Sequence, residues 1–217
     1  MKKLVLLCSS ALFLSFAAHA QTSYGIKAGM NLAKLSNVDN SLEDYQKNNL
    51  SFYLTGFADI PVASQFSIQP GISLQGKGEK YSVDETIANA KVDGSARLNI
   101  LSIEIPVNAV YWIPAGPGKV YVGAGPYIGF NIDAKLKTDG DVTLEIMGDG
   151  DKDELDLEIG KDKDIHVVDA GMNFLAGYKL NNGFLINAGY GLGFTKILTD
   201  GDKRSSRVFN LGIGYQF

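Results

Sequence analysis

The sequence has 217 residues, 45% of them hydrophobic, with 25 glycines, 10 tyrosines, 11 phenylalanines and a formal charge of −4. That length is compatible with one domain, and the acidic balance argues against nucleic acid as a partner. The lone cysteine, Cys8, excludes a disulfide framework and a cysteine-based metal site.

In chain order, Lys2 and Lys3 precede an apolar run from Leu4 to Ala17 that ends in Ala18-His19-Ala20. A basic start, a short apolar stretch and a small-x-small end make a cleaved secretory signal over residues 1–20. Its removal takes Cys8 away and leaves 18 basic against 24 acidic residues in 21–217, a formal charge of −6. Beyond it no run of 18 apolar residues remains. If the chain enters a membrane, it must do so as strands.

Period-two alternation then marks eight strands, near 24–35, 50–60, 66–78, 98–112, 120–136, 167–180, 184–195 and 208–217. The connections 61–65, 113–119 (IPAGPGK) and 181–183 (NNG) are short and built from turn formers. The connections 36–49, 79–97, 137–166 and 196–207 are long. Short turns at one end and long loops at the other are the layout of an outer-membrane barrel, with the short turns in the periplasm. The expected fold is all-β, an eight-stranded antiparallel up-and-down transmembrane β-barrel occupying 21–217.

Two faces compete for the outside. In the last strand Phe209, Leu211, Ile213, Tyr215 and Phe217 alternate with Val208, Asn210, Gly212, Gly214 and Gln216, and the strand over 184–195 repeats the pattern. A soluble barrel would put the second set in water, yet that set holds too few charges for a soluble surface. A membrane barrel puts the first set in lipid and fills a narrow lumen with small and polar groups. Glycines would then lie opposite Tyr53, Phe57, Trp112, Tyr121 and Tyr127. Aromatics near the strand ends would form interfacial girdles. Pro70, Pro106 and Pro126 fall inside strands and lack an N–H, so each is expected to bring a bulge or a kink.

Inward charges are the first functional candidates: Lys27, Asp59, Lys77, Glu104 and Lys179, together with Asp133 and Lys135 on the same alternation. Lys27 and Asp59 lie on adjacent strands near the periplasmic end, and Lys77 neighbours Glu104 at mid-barrel. Burial requires such charges to be paired, so a paired network filling a closed interior is expected; a small transporter or channel using these charges is the alternative. Catalysis has little to stand on. The only histidine beyond the leader, His166, sits near Asp164 and Asp169 in what reads as a loop, and no nucleophile set or cofactor motif accompanies it.

The segment 137–166 alternates Val142, Leu144, Ile146 and then Leu155, Leu157, Ile159 around a turn-rich 148–153. It reads as a hairpin continuing the fifth and sixth strands above the membrane, exposing Asp149, Asp151, Asp153, Glu154 and Asp156. An extracellular protein or a cation is the partner it would suit. The D-x-D-x-D at 149–153 departs from an EF-hand loop, with Glu154 in place of the turn glycine and Gly160 at the last ligand position. No metal or cofactor is expected.

The segments YGIKAGMNLAKLS (24–36), FSIQPGISLQGKGEKY (66–81), LSIEIPVNAVYW (101–112), VYVGAGPYIGF (120–130), DAGMNFLAGYKL (169–180) and NAGYGLGFTKI (187–197) carry a pattern of glycines, prolines and alternation. In this the chain resembles the PorT-like outer-membrane β-barrel proteins of Bacteroidetes-type bacteria. The resemblance implies a place in the outer membrane, contact with membrane lipid and insertion by the outer-membrane assembly machinery. On it, Tyr215 and the final Phe217 act as an assembly signal. It implies no particular activity, since fold does not carry function.

Overall fold

The computed structural model describes residues 22–38, 42–87, 90–140, 154–199 and 203–217. The expected leader and the acids Asp149, Asp151 and Asp153 lie outside them. The strands are β1 (Ser23–Leu35), β2 (Gln46–Lys47), β3 (Asn49–Ala63), β4 (Phe66–Ile87), β5 (Ala90–Ala115), β6 (Gly118–Gly140), β7 (Glu154–Asp156), β8 (Val168–Leu180), β9 (Phe184–Gly193) and β10 (Ser206–Gln216), with one 3₁₀ turn at Glu43–Tyr45.

All pairings among these strands are antiparallel, and eight of the strands close a ring. β1 pairs with β3 on one side and with β10 on the other; β4 and β5 complete the circle. Closure satisfies the backbone polar groups that hydrocarbon cannot. Among the described residues no helix is long and apolar enough to cross a membrane. The crossing is by strands.

The alternation holds as expected. Ile26, Met30, Phe52, Leu54, Ile72, Ile186, Leu211 and Ile213 are exposed on the outside, while Asn31, Tyr53, Phe57, Ser73, Tyr121, Tyr127 and Asn187 are buried in the lumen. An apolar exterior around a polar, aromatic interior is the inverse of a soluble barrel and fits lipid. Glycine makes the packing possible. A side-chain carbon added at Gly177 would lie 2.5 Å from the Tyr121 ring, and one at Gly171 would lie 2.7 Å from Tyr127. Gly212 and Gly25 stand in the same relation to Tyr53 and Phe57.

Of the bulge or kink expected at each in-strand proline, the ladders show no bulge but a local break. The β3–β4 ladder skips from Phe57↔Gly71 to Ile60↔Ile68 around Pro70. The β4–β5 ladder skips from Pro70↔Val107 to Ser73↔Glu104 around Pro106, and the β5–β6 ladder skips from Pro106↔Tyr127 to Ala109↔Ala124 around Pro126. Rungs are lost but register is kept across each proline. The register shifts lie elsewhere, between Pro61 and Ala63 and between Leu101 and Ser102. The second makes Ile132 an extra residue on β6, since Leu101 faces Asp133 while Ser102 faces Asn131. That residue reverses the alternation, so Asp133 and Lys135 point outward rather than into the lumen.

The connection over 79–97 is a second departure. It is a hairpin, with β4 and β5 paired out to Ile87↔Ala90. Above the membrane an outward side chain meets water, so the apolar alternation that marks a strand fades while the ladder continues. β2 joins this extension at Tyr81 and β7 joins β6 at Lys135–Lys137.

Replacing Gly177 by Val is expected to lower the unfolding midpoint in urea, costing about 1–3 kcal/mol through overpacking against Tyr121. Gly56→Val is the control, because nothing lies within 4 Å of a carbon added there. Equal losses from the two would contradict the interlocked lumen.

Candidate functional site

The lumen is built in layers. At the short-turn end Trp112 and Tyr121 pack with ring centroids 5.1 Å apart, backed by Val110 and Leu175. Trp112 Nε1 donates to Ser67 Oγ at 2.8 Å. The Lys179 ammonium lies 5.0 Å from the Trp112 ring. Lys27 sits 4.3 Å from the Phe57 ring and 5.4 Å from Tyr121. The Asp59 carboxylate is taken up by two amides, Gln69 Nε2 at 3.0 Å and Gln216 Nε2 at 3.1 Å. The expected Lys27–Asp59 pair is therefore not a direct ion pair; amides hold the acid and aromatic faces hold the base.

The expected Lys77–Glu104 pair is present at 2.5 Å, and it is part of a larger cluster. Lys77 Nζ also reaches Asp169 Oδ2 at 2.5 Å. Thr195 Oγ1 donates to Asp169 Oδ1 at 2.7 Å, and Tyr127 Oη donates to Asp169 Oδ2 at 3.2 Å. Lys77 is 2% exposed, Glu104 4% and Asp169 0%. The sequence puts Asp169 in the strand over 167–180 but notes it beside His166 and not among the inward charges. The signal was in the alternation: Asp169 shares its face with Gly171, Asn173 and Gly177, which is the lumenal one. Among the described residues, Lys27, Lys77 and Lys179 against Asp59, Glu104 and Asp169 sum to zero, and the Arg204–Glu79 pair above them adds no net charge, as a low-dielectric interior demands.

Two small polar cavities lie between these layers, one of about 70 Å³ beside Lys27, Asn108 and Asn187, the other of about 20 Å³ beside Lys77 and Tyr127. Above the Lys77 cluster Arg204 pairs with Glu79, which also accepts from Gln46 Nε2 at 3.0 Å and from Tyr81 Oη at 3.0 Å. An apolar cap then closes the outer mouth. Leu35, Leu98, Ile100 and Ala134 from the strands meet Ile165 and Ile197 from the loops, with Leu157, Ile159 and Leu198 packed against them.

The cap changes the account of the acidic hairpin. Among the described residues β7 pairs back onto β6 over Glu154–Asp156, as expected of a hairpin. The chain then turns in over the mouth, so Leu157 and Ile159 seal the lumen instead of extending β8. Glu154 is held by Lys135 at 2.7 Å and Lys137 at 2.5 Å, and Asp156 lies 3.3 Å from Lys135. Hydrogen bonds from these lysines hold the Glu154 carboxyl well below the usual range, at about 2, and its bond to Lys135 pushes that ammonium up to about 12. Among the described residues no group of three or more His, Cys, Asp or Glu side chains could hold a metal ion. His166 donates its backbone N–H to Ile197 at 2.9 Å and accepts from Asn131 at 2.8 Å, a structural place in the loop. Tyr215 and Phe217 lie outward with ring centroids 5.3 Å apart, and Phe217 N donates to Tyr24 O at 2.8 Å.

Lys77→Met is expected to cost ~3–5 kcal/mol in urea unfolding, because it strands two buried carboxylates. Adding Glu104→Gln and Asp169→Asn should recover most of that loss; a triple variant as weak as the single one would contradict a cluster held by charge pairing. Folding lowers the Glu154 pKa, so its contribution is present above the ordinary carboxyl pKa and is lost as pH falls through the folded value. Amide protection at Leu157, whose N–H donates to Ala134 O at 2.9 Å, should therefore fall between about pH 4.5 and about pH 2. The Glu154→Gln variant should not show that step.

A family model described as an outer membrane protein beta-barrel domain matches residues 18–199. No curated protein matches the chain. Among solved structures, Ail of Yersinia pestis, determined in complex with the heparin analogue sucrose octasulfate, is 16% identical, covers 91% of this chain and 99% of its own, and has a TM-score of 0.37. Neisserial surface protein A is 15% identical over 90% of this chain and 97% of its own, with a TM-score of 0.45. OprG from Pseudomonas aeruginosa is 15% identical over 92% and 97%, also with a TM-score of 0.45.

Proposed function

The chain belongs to the outer-membrane protein β-barrel domain family, and from that premise we propose that it is a non-enzymatic barrel that works through its extracellular face. The filled lumen supports this reading most: an aromatic layer lies below and an ion cluster in the middle, the cavities beside them are small, and the larger one of about 280 Å³ lies among the apolar cap residues Leu98, Leu157 and Leu198 above. What remains for function is the outer surface, where β4, β5 and β6 rise beyond the apolar belt and carry β2 and β7 at their sides. The role is interaction with an extracellular protein, support of envelope integrity, or an accessory part in secretion. Within the family, PorT-like affiliation rests on the glycine and proline pattern of the strands. Export on the leader at 1–20 and recognition of Tyr215 and Phe217 by the assembly machinery belong to the same proposal.

The alternative is a small transporter using the interior charges, favoured by the lysine and acid cluster facing two polar cavities. Conductance in planar bilayers separates the two. The full chain should show no sustained open level; stable large pores would overturn the closed-lumen role. Sidedness is tested with an impermeant maleimide on intact cells. Asp156→Cys, at a side chain 81% exposed, should react, and Asn182→Cys should react only once the outer membrane is opened.

A further inference from the structure

The outer rim carries a basic groove that the sequence reading did not single out. It lies where the chain enters β8 and leaves β9, has a volume of about 480 Å³, and is lined by Lys161, His166, Lys196 and Lys203 together with Val168 and Phe194. Among the described residues that line it, none is a carboxylate. This stands out in a chain with 24 acidic and 20 basic residues. The walls are held by backbone hydrogen bonds: Gly160 N to Ile165 O at 3.0 Å, His166 N to Ile197 O at 2.9 Å, and Ile197 N to Arg204 O at 2.9 Å. The basic groups thus stand on a braced loop pair.

The groove is continuous with the lipid-facing belt. Val168 is 44% exposed and Phe194 51% exposed, both on the outward face at the tops of their strands. Arg207 continues the positive rim on β10, its guanidinium donating to Gly193 O at 2.8 Å, and Lys34 on β1 stands across from Arg207 in register. A cation-lined notch above an apolar wall, at the height where headgroups begin, suits a molecule with an anionic head and a hydrocarbon body. A free anion would use the lysines and leave the exposed Val168 and Phe194 without a role.

We propose that this groove binds a phosphorylated anionic lipid of the outer leaflet. Its phosphate sits between Lys161 and Lys203, beside Lys196, whose Nζ donates to Thr199 O at 2.6 Å, and its acyl chain runs down past Val168 and Phe194. Basic groups near a membrane surface each add enough attraction to shift retention about fivefold.

The test uses the full chain in nanodiscs of phosphatidylcholine doped with a diphosphorylated lipid A, with co-purifying lipid counted by native mass spectrometry after transfer to detergent. One bound phosphorylated lipid per chain is expected, and Lys161→Gln with Lys203→Gln should cut its retention by about 25-fold. Phe194→Ser should weaken retention while leaving the lysines in place. Inorganic phosphate at millimolar concentration should fail to displace the lipid. Circular dichroism and heat-modifiable migration verify that each variant is folded. Equal retention by the folded lysine variant, or equal retention of a dephosphorylated lipid A, would overturn the proposal. So would phosphate binding with no lipid carried over. None of these outcomes bears on whether the lumen conducts.

Discussion

Backbone amides and carbonyls cannot be left bare in hydrocarbon, and every later feature of this protein follows from that constraint. A sheet meets it only by closing on itself, which here joins β1 to β10 and β4 to β5. Eight strands fix a narrow lumen. The width in turn dictates residue size: where Tyr53, Phe57, Tyr121 and Tyr127 project inward, glycine must stand opposite. The prolines fit the same logic. Each removes a donor, and the lost rungs carry no change in register, so closure survives the three gaps.

The second consequence is electrostatic. A lumen too narrow for bulk water is a poor solvent for charge, so the groups inside balance one another. Lys77 meets two carboxylates, and Asp59 takes amide donors. Lys27 and Lys179 rest against aromatic faces. This arrangement fills space and fixes strand register. A proton path would call for groups spaced along an open route, whereas the apolar cap of Leu98, Ile100, Ile165 and Ile197 closes the outer end. The function proposed above accordingly uses the two surfaces the barrel leaves free, the strands beyond the apolar belt and the rim where lipid begins.

Where lipid or a packed lumen bears on both faces of a strand, the sequence announces the structure. Faces, strand number, short turns and the Lys77–Glu104 contact were all legible from alternation between Tyr24 and Phe217. Legibility fails where that constraint relaxes. The 79–97 segment lost its apolar outer face to water and looked like a loop, though it is a paired hairpin. One extra residue, Ile132, inverted the alternation and sent Asp133 and Lys135 outward. Leu157 and Ile159 kept a strand-like pattern but pack into the cap, because a short apolar run cannot say which surface will cover it. The basic rim escaped notice because Lys34, Lys161, Lys196, Lys203 and Arg207 come together only through ring closure and the folding back of two loops.

The central claim is that apolar side chains look out to lipid while the aromatic and polar set fills the lumen, and the single tryptophan makes this directly measurable. In bilayers of brominated lipid, fluorescence from Trp112 should be quenched several-fold less than fluorescence from a Trp112→Phe, Ile186→Trp variant carrying its indole on the opposite face. Strong quenching of Trp112 with weak quenching at position 186 would contradict the account.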